Sequence, residues 1–402
     1  MKRPIGPVYG FALLGWTFDF YDLVLLGYIV QDVARDLGLS HSAKAWLLGV
    51  ALLTSGFGGI VAGGLADRFG KRTMLAWTVL IYSAGSLFCG LAPTTTAFVA
   101  GRAIVGLGVG GEWAIGHAMV AEAAEPTQRG RWSAALQAGE PLGAAIAAIA
   151  GYVFLPRFGW RNVLLASSLT ALIALVARRS VHLPDQPAMR SNVAVGELRR
   201  ARVGSRMLLA WVLGVFKLGT YWSCYIWLPG FLRDEMHQGL GRSLTWMLTA
   251  QVGQFLGMMS FGAVSDRFGR RPAFAAYSVL TACALAPLAL AWPWLSAHPP
   301  FFWATMFCLG IGSGCTAGFG ALLAELFPSE VRATAMGTTY NMARAAQVLA
   351  PILVDAAVVR AGLAGGLGVP LVLALATASW VWLLPETKGI TLHRLADDRA
   401  PS

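Results

Sequence analysis

The chain has 402 residues, of which 56% are hydrophobic and only 13% are charged, and its mean hydropathy is +0.60. A soluble domain carries about 25% charged residues, so this composition excludes an ordinary soluble protein and indicates an integral membrane protein. The formal net charge of +11 does not indicate a nucleic-acid partner, because the basic residues fall in alternate loops between apolar stretches, as membrane topology requires.

The apolar stretches predict twelve membrane-spanning helices, since each is long enough to supply the roughly 20 residues that a bilayer requires. In the first half they cover Val8–Val30, Ala45–Ala66, Thr73–Leu91, Ala97–Glu122, a segment ending at Phe154, and Arg161–Ala177. In the second half they cover Met207–Leu232, Ser243–Ser265, two helices within Pro272–Ala324, Ala333–Val354, and Gly362–Leu384. The prediction is an all-α membrane protein with six-helix halves at residues 1–179 and 207–385, a polar linker at 180–206, and a tail at 386–402.

Two basic turns of similar sequence interrupt the apolar stretches. GGLADRFGKR covers residues 63–72, and AVSDRFGRR covers residues 263–271. The two copies lie about half the chain length apart, so the repeat predicts two halves of similar structure.

The two turns resemble the loops between helices 2 and 3 and between helices 8 and 9 of the major facilitator superfamily, a large class of secondary transporters. PETKG at residues 385–389 resembles the end of helix 12 in its sugar and organic-acid members. The resemblance implies a twelve-helix fold in two halves that alternates access to a central cavity, a functional monomer, and no cofactor or metal. It also implies a gating and structural role for the charged residues of the turns: Asp67, Arg68, Arg72, Asp266 and Arg267.

A further repeat follows helices 4 and 10. Each copy places a glutamate seven residues before an arginine, as Glu122 and Arg129 in the first half and as Glu325 and Arg332 in the second. Such a pair is expected to link two helix ends across a turn, and the family resemblance gives it a structural and gating role.

The distribution of lysine and arginine predicts the orientation of the chain. Basic residues concentrate at the N-terminus, in alternate loops, in the linker and at the C-terminus. By the positive-inside rule, these regions are expected to be cytoplasmic. The sequence therefore predicts a multi-pass protein of the plasma (inner) membrane with both termini in the cytoplasm.

This orientation is testable by cysteine labelling. In a variant without the five native cysteines, Arg190→Cys is expected to be unreactive toward a membrane-impermeant maleimide in intact cells and reactive after lysis, because the linker is cytoplasmic. Thr94→Cys, in the turn after helix 3 on the opposite side, is the control that should react in intact cells. Labelling of residue 190 from outside would refute the orientation.

Helix 1 carries two acidic residues near its middle. Asp19 and Asp22 are three positions apart and therefore share one helix face. The tetrapeptide DFYD, which includes Tyr21 as a candidate substrate contact, resembles the D-x-x-D of proton-coupled aromatic-acid and carboxylate symporters. Two close carboxylates in a low-dielectric environment cannot easily both ionise, so one is expected to carry a proton. The alternative is that structural cations neutralise both.

Helix 4 carries a second set of candidates. RAIVGLGVG at residues 102–110 resembles the family motif R-x-x-x-G-x-x-x-G, whose arginine is often tied to proton coupling; a structural hydrogen-bonding role for Arg102 is the alternative. GEW at residues 111–113 resembles metabolite:proton and sialate/lactate-type symporters. Glu112 is a candidate proton or substrate site, Trp113 a candidate substrate contact. Arg102 and Glu112 cannot touch within one helix, because ten residues span about 15 Å.

Buried basic residues in the second half suggest an anionic substrate. The repeat places Lys217 near the position matching Asp19, and Arg344 near the position matching Glu140. In the fold that the family resemblance implies, helices 1 and 7 and helices 5 and 11 face each other across the cavity, so acidic residues of the first half are expected to face basic residues of the second. Arginine can bind a carboxylate through two hydrogen bonds and lysine as a point charge, although the two bases could serve only as ion pairs. Further candidate cavity walls are Tyr221, Gln251, Gln254 and Asn341.

The preferred function is a proton-coupled symporter of small organic anions, favouring monocarboxylates. A proton-coupled sugar or polyol symporter is the alternative, supported by PETKG. A drug antiporter is less favoured, because EPLG at residues 140–143 departs from the antiporter pattern G-P-x-x-G in helix 5. An enzyme is not expected, since the sequence has no metal-spaced histidine cluster, nucleophile motif or phosphate loop.

Overall fold

The computed structural model describes residues 5–123, 129–169, 201–234, 240–327 and 332–388. The first half contains α1 (Ile5–Leu37), α2 (His41–Phe69), α3 (Lys71–Leu91) and α4 (Thr95–Ala123). Helix α5 consists of Arg129–Gln137, Gly139–Ile149 and the π-helical turn Ala150–Phe154. It runs on into Leu155–Ser167, which breaks at Gly159, where φ is 74°, and the part after the break begins α6.

The second half repeats this plan. It contains α7 (Ala201–Asp234), α8 (Leu240–Phe268) and α9 (Arg270–Leu290), then a short helix at Trp292–Ala297. Helix α10 comprises Pro299–Ser313, Gly314–Ala317 and Gly318–Leu326. Helix α11 comprises Arg332–Ala345, Ala346–Val348 and the first part of Leu349–Trp380, which breaks at Ala361 and Gly362; α12 follows the break and ends in the turn Val381–Leu383.

Membrane-spanning character is widespread along this chain. Nine stretches of the described residues are long and apolar enough to cross a membrane. Two of them, Ala134–Ser167 and Ala335–Leu383, each contain one of the breaks and so cover two helices. The nine stretches thus cover eleven helices, and α8, which is not among them, is the twelfth that the sequence predicts.

Helix ends differ from prediction mainly outside the apolar cores. Helix α1 extends to Leu37 and α2 begins at His41, after Ser40 accepts a hydrogen bond from the Ala43 N–H. Helix α7 begins at Ala201, six residues before the predicted start. A helix that projects beyond the bilayer has no need of apolar residues there, so hydropathy locates the membrane segment and misses the extension. Most of the predicted linker, and the tail after residue 388, lie outside the described residues.

Close helix packing depends on glycines at matching places in the two halves. Gly110 of α4 lies against the Ser55 carbonyl of α2, and Gly310 of α10 lies against the Ala250 carbonyl of α8, so closely that a Cβ atom would overlap either one. Small residues permit such backbone approach between membrane helices. The halves meet where α1 packs on α7, α2 on α11 and α5 on α8.

A charged network lies at the turn between α8 and α9. Arg270 binds Glu325 of α10 at 2.8 Å and Asp266 at 2.6 Å. Partial burial by itself would raise the pKa of the Glu386 carboxyl. Hydrogen bonds from backbone N–H groups, including those of Arg270 and Arg271, outweigh this effect and lower that pKa. The predicted turn residues of the second half thus join α8, α9, α10 and the end of α12.

The corresponding positions of the first half are less completely described. Arg72 is half-buried at the start of α3, after Gly70, whose φ is 86°. In the second half, Lys388 donates a hydrogen bond to the backbone carbonyl of Arg267. The side chains of Asp67, Arg68, Glu122, Arg129 and Arg332 lie outside the described part of the structure, so their gating role stays a prediction.

Candidate substrate and proton site

The fold buries every ionisable residue that the sequence places within the membrane helices as a candidate. No more than 2% of the surface of each is exposed. They come from five helices of both halves: Asp19, Asp22, Arg102, Glu112, Glu140, Lys217 and Arg344. An ionisable residue at the centre of a bilayer costs at least about 2.5 kcal/mol, so each requires a partner or a function.

Asp19 forms an ion pair between the two halves. Its Oδ2 lies 3.4 Å from Nη2 of Arg344 on α11. The Arg344 guanidinium carbon also lies 5.6 Å from the centre of the Trp16 ring and 5.7 Å from that of Phe20. One face of α1 thus holds the arginine by charge and by cation–π contact. A base of the second half faces Asp19, as the sequence predicts, but that base is Arg344 and not Lys217, the residue that the repeat matches with Asp19.

Asp22 is engaged within the first half. Nη1 of Arg102 on α4 donates to Asp22 Oδ1 at 2.5 Å, and the Ser86 hydroxyl of α3 donates to Asp22 Oδ2. Asp19 and Asp22 therefore do not share one partner: each carboxylate has its own arginine, one across the interface between the halves and one inside the first half.

Glu112 differs from both aspartates because it has no ion-pair partner among the described residues. Its Oε1 lies 3.1 Å from the Thr78 hydroxyl of α3. Its Oε2 has no hydrogen-bond partner in the described structure and lies against Gly15 of α1. The charges of Asp19 and Arg344 are near enough to act on it. Glu112 is thus a buried carboxyl beside the Asp19–Arg344 pair.

Glu140 is bound by two amides. Gln137 donates to its Oε2 at 3.0 Å, and Gln254 of α8 donates to its Oε1 at 2.7 Å, which is a second polar bond between the halves. The charges of Lys217 and Arg344 also act on Glu140, but Lys217 forms no ion pair with the described residues. The sequence predicts a gating or structural role for Glu140 and a position facing the bases of the second half, and the structure places it in the same electrostatic cluster as Asp19; its role stays a prediction.

Gln137 connects Glu140 to an aromatic pair. Its Oε1 accepts a hydrogen bond from Trp113 Nε1 at 3.2 Å. Trp113 stacks on Tyr340 of α11, with ring centres 4.1 Å apart and planes 11° from parallel. Sequence reasoning named Trp113 but missed Gln137 and Tyr340. The available signal was that Gln137 lies one helical turn before Glu140.

A second aromatic group joins α1 to α7. Phe20 stacks on Trp222, with ring centres 5.7 Å apart, and Tyr221 contacts both rings edge-on. Tyr21 lies elsewhere: its hydroxyl shares a hydrogen bond with Ser167 of α6 at 2.8 Å. Tyr21 therefore packs within the first half, apart from the central cluster.

Several buried polar atoms of the cluster have no hydrogen-bond partner among the described residues: Trp16 Nε1, Asp19 Oδ1, Glu112 Oε2, the Tyr221 hydroxyl, Gln254 Oε1 and Arg344 Nη1. Two other candidate cavity walls, Gln251 and Asn341, are also buried, and the Asn341 amide lies against Gly59 of α2. A buried polar atom without a partner costs about 1–3 kcal/mol. Such atoms, gathered among aromatic side chains, are typical of a site for a small polar ligand.

Known proteins resemble this chain along almost its whole length. The family described as "Major Facilitator Superfamily" matches residues 8–251, and that described as "Sugar (and other) transporter" matches residues 185–398. A probable 4-methylmuconolactone transporter of Cupriavidus pinatubonensis is 29% identical, over 96% of this chain and 92% of its own. The niacin transporter NiaP of Acinetobacter baylyi is 28% identical, over 85% and 84%.

A solved structure confirms the architecture. The crystal structure of a D-xylose-proton symporter matches with a TM-score of 0.75, covers 96% of this chain and 99% of its own, and is 22% identical. The predicted all-α fold of twelve membrane helices is thereby confirmed.

The Asp22–Arg102 pair gives a prediction about stability. Arg102→Leu should lower the free energy of unfolding by about 3–5 kcal/mol, because it leaves Asp22 buried without its cation. The double substitution Asp22→Asn with Arg102→Leu should recover part of that loss, since no uncompensated charge remains. Thermal unfolding in detergent measures both, and an unchanged midpoint for Arg102→Leu would contradict the importance of the pair.

Proposed function

This chain belongs to the Major Facilitator Superfamily and is a membrane transporter rather than an enzyme, and we propose that it carries small organic anions, chiefly monocarboxylates, together with a proton. The observation that carries the proposal is the loose ion pair between Asp19 and Arg344. At 3.4 Å it is longer than the 2.7–2.9 Å that is usual for a charge-assisted hydrogen bond, and one nitrogen of Arg344 has no partner among the described residues.

Arg344 is the proposed carboxylate ligand. It is buried at the interface between the halves, and two aromatic rings of α1 lie beside it. A ring-bearing monocarboxylate complements such a site, because the rings can stack while the carboxylate pairs with the guanidinium. Niacin, a pyridine carboxylate that a relative transports, has this chemistry. Lys217 supplies a second positive charge near Glu140.

Coupling follows from competition for Arg344. A substrate carboxylate that binds Arg344 displaces Asp19, which then becomes a buried carboxylate without a counter-charge. Neutralisation by a proton removes that penalty, so anion and proton bind cooperatively. Asp22 stays paired with Arg102, which makes Asp19 the preferred proton carrier, with Asp22 and Glu112 as alternatives. One proton crossing with one monoanion moves no net charge.

A proton-coupled sugar or polyol symporter is the second candidate. The match to the sugar transporter family and the buried amides Gln137, Gln251, Gln254 and Asn341 favour it. The buried bases of the second half, Lys217 and Arg344, favour an anionic substrate instead, because a neutral sugar has no charge to offset theirs. We also propose a functional monomer in the plasma (inner) membrane, with both termini cytoplasmic.

Arg344→Lys tests the ligand. We expect a loss of affinity of at least about tenfold for nicotinate or for gentisate, an aromatic monocarboxylate that another relative transports, because lysine keeps the charge that faces Asp19 but loses the planar fork that binds a carboxylate bidentately. Arg161→Lys is the matched control, since Arg161 binds backbone carbonyls at the end of α3, away from the cluster. Binding is measured by calorimetry on purified protein. Wild-type affinity in both Arg344→Lys and Arg344→Gln would exclude Arg344 as the ligand.

Proteoliposomes with separately imposed gradients test the coupling. A pH gradient, worth about 1.4 kcal/mol per unit, should drive uptake of the anion. A membrane potential, worth about 2.3 kcal/mol per charge per 100 mV, should not, because the transported pair is neutral. Uptake driven by potential alone, or by Na⁺ at uniform pH, would contradict the mechanism.

Asp19→Asn identifies the coupling acid in the same vesicles. It should abolish pH-driven accumulation yet allow exchange of anion for anion, because the site keeps Arg344 but has lost the acid that takes up the proton. Asp36→Asn, on the exposed end of the same helix, is the control and should accumulate anion normally. If Asp22→Asn or Glu112→Gln loses accumulation while Asp19→Asn keeps it, the coupling role moves to that residue.

A further inference from the structure

Trp16 has an indole N–H that the fold buries without using. Only 2% of the residue is exposed, and Nε1 has no hydrogen-bond partner among the described residues. An indole nitrogen can only donate a hydrogen bond. A buried donor without an acceptor is costly, so an acceptor oxygen of a bound ligand would stabilise this position.

The orientation of Trp16 brings this donor to the central cluster. The atom next to Nε1 in the ring, Cδ1, packs against Gly139 of α5, where a Cβ would lie only 2.8 Å away. The polar edge of the indole therefore reaches α5 immediately beside Glu140. Both oxygens of Glu140 already accept hydrogen bonds from Gln137 and Gln254, and Glu140 is not a partner of Trp16.

A second donor without a partner lies beside Trp16. The guanidinium carbon of Arg344 is 5.6 Å from the centre of the indole ring, and Nη1 of Arg344 also has no partner among the described residues. Two neighbouring donors, one of which is positively charged, complement an anion that offers two oxygens. They come from α1 and α11, so an anion that binds both connects the two halves.

We propose that Trp16 Nε1 is a second ligand of the substrate carboxylate and donates a hydrogen bond to one of the two oxygens that the Arg344 fork binds. This inference rests on the proposed function, because it takes Arg344 as the anion-binding residue. It adds a specificity-determining residue on α1, three positions before Asp19. When the anion takes Arg344 from Asp19, the Trp16 bond keeps the new complex attached to α1. The helix that contains the proton-carrying acid thus contacts the anion directly.

Trp16→Phe tests the inference because it removes the N–H and keeps an aromatic ring near Arg344 and Phe20. We expect nicotinate to bind about tenfold more weakly, the usual effect of losing a hydrogen bond to a charged group. Trp246→Phe is the matched control: Trp246 is equally buried, its Nε1 also has no described partner, and it stacks on Phe302 of α10. That control should bind nicotinate with wild-type affinity.

A double-mutant cycle separates a shared carboxylate from an indirect effect. In the Arg344→Lys background, Trp16→Phe should cost clearly less than tenfold, because the two residues act on one group. Additive losses would overturn the shared-ligand inference. If Trp16→Phe unfolds in detergent, 3-benzothienylalanine at position 16 keeps the bicyclic shape, removes only the N–H, and should give the same tenfold loss.

Failure of this inference differs from failure of the proposed function. Wild-type nicotinate affinity in Trp16→Phe, with a loss retained in Arg344→Lys, overturns the role of Trp16 alone. If the wild-type protein binds neither nicotinate nor gentisate, the proposed function fails, and this inference fails with it.

Discussion

The cost of burying charge in a low-dielectric interior governs the centre of this protein. Four acidic and three basic side chains lie within the helices, each almost wholly buried. Such groups are tolerated only when paired, hydrogen-bonded or neutralised. The Asp22–Arg102 pair is short and entirely within the first half, whereas the Asp19–Arg344 pair is long and crosses between the halves. In the mechanism that we propose, the first pair persists and the substrate replaces Asp19 in the second.

The crossing interactions have a consequence for alternating access. Arg344 contacts α1, Gln254 bonds to Glu140, and Trp113 stacks on Tyr340. Each joins one half to the other around the same cluster, so any movement that separates the halves must break some of them. In the proposed mechanism, a substrate that replaces Asp19 at Arg344 alters one of these contacts, so substrate binding, protonation of Asp19 and the interface between the halves are linked.

Close helix packing holds each half together around the central cluster. Gly110 and Gly310 allow α4 to lie on α2 and α10 on α8 without side chains between the backbones. The charged network of Arg270, Glu325 and Glu386 joins the ends of α8, α9, α10 and α12 at the turn.

Sequence alone determined the helices, the two-fold repeat and the list of buried charges, because apolar length and the exclusion of charge from a bilayer are properties of local segments. Residues such as Asp19, Glu112 and Arg344 were identifiable because an ionisable side chain in an apolar stretch is conspicuous. Pairing was decided only by tertiary structure. Asp19 meets Arg344 and Asp22 meets Arg102, and neither could be read from spacing, since the partners lie on different helices whose rotation depends on packing. Gln137, Tyr340 and Trp16 were not identified from the sequence for a related reason. Amides and aromatic rings are common in membrane helices, and only the packing of neighbouring helices places these ones beside a charge.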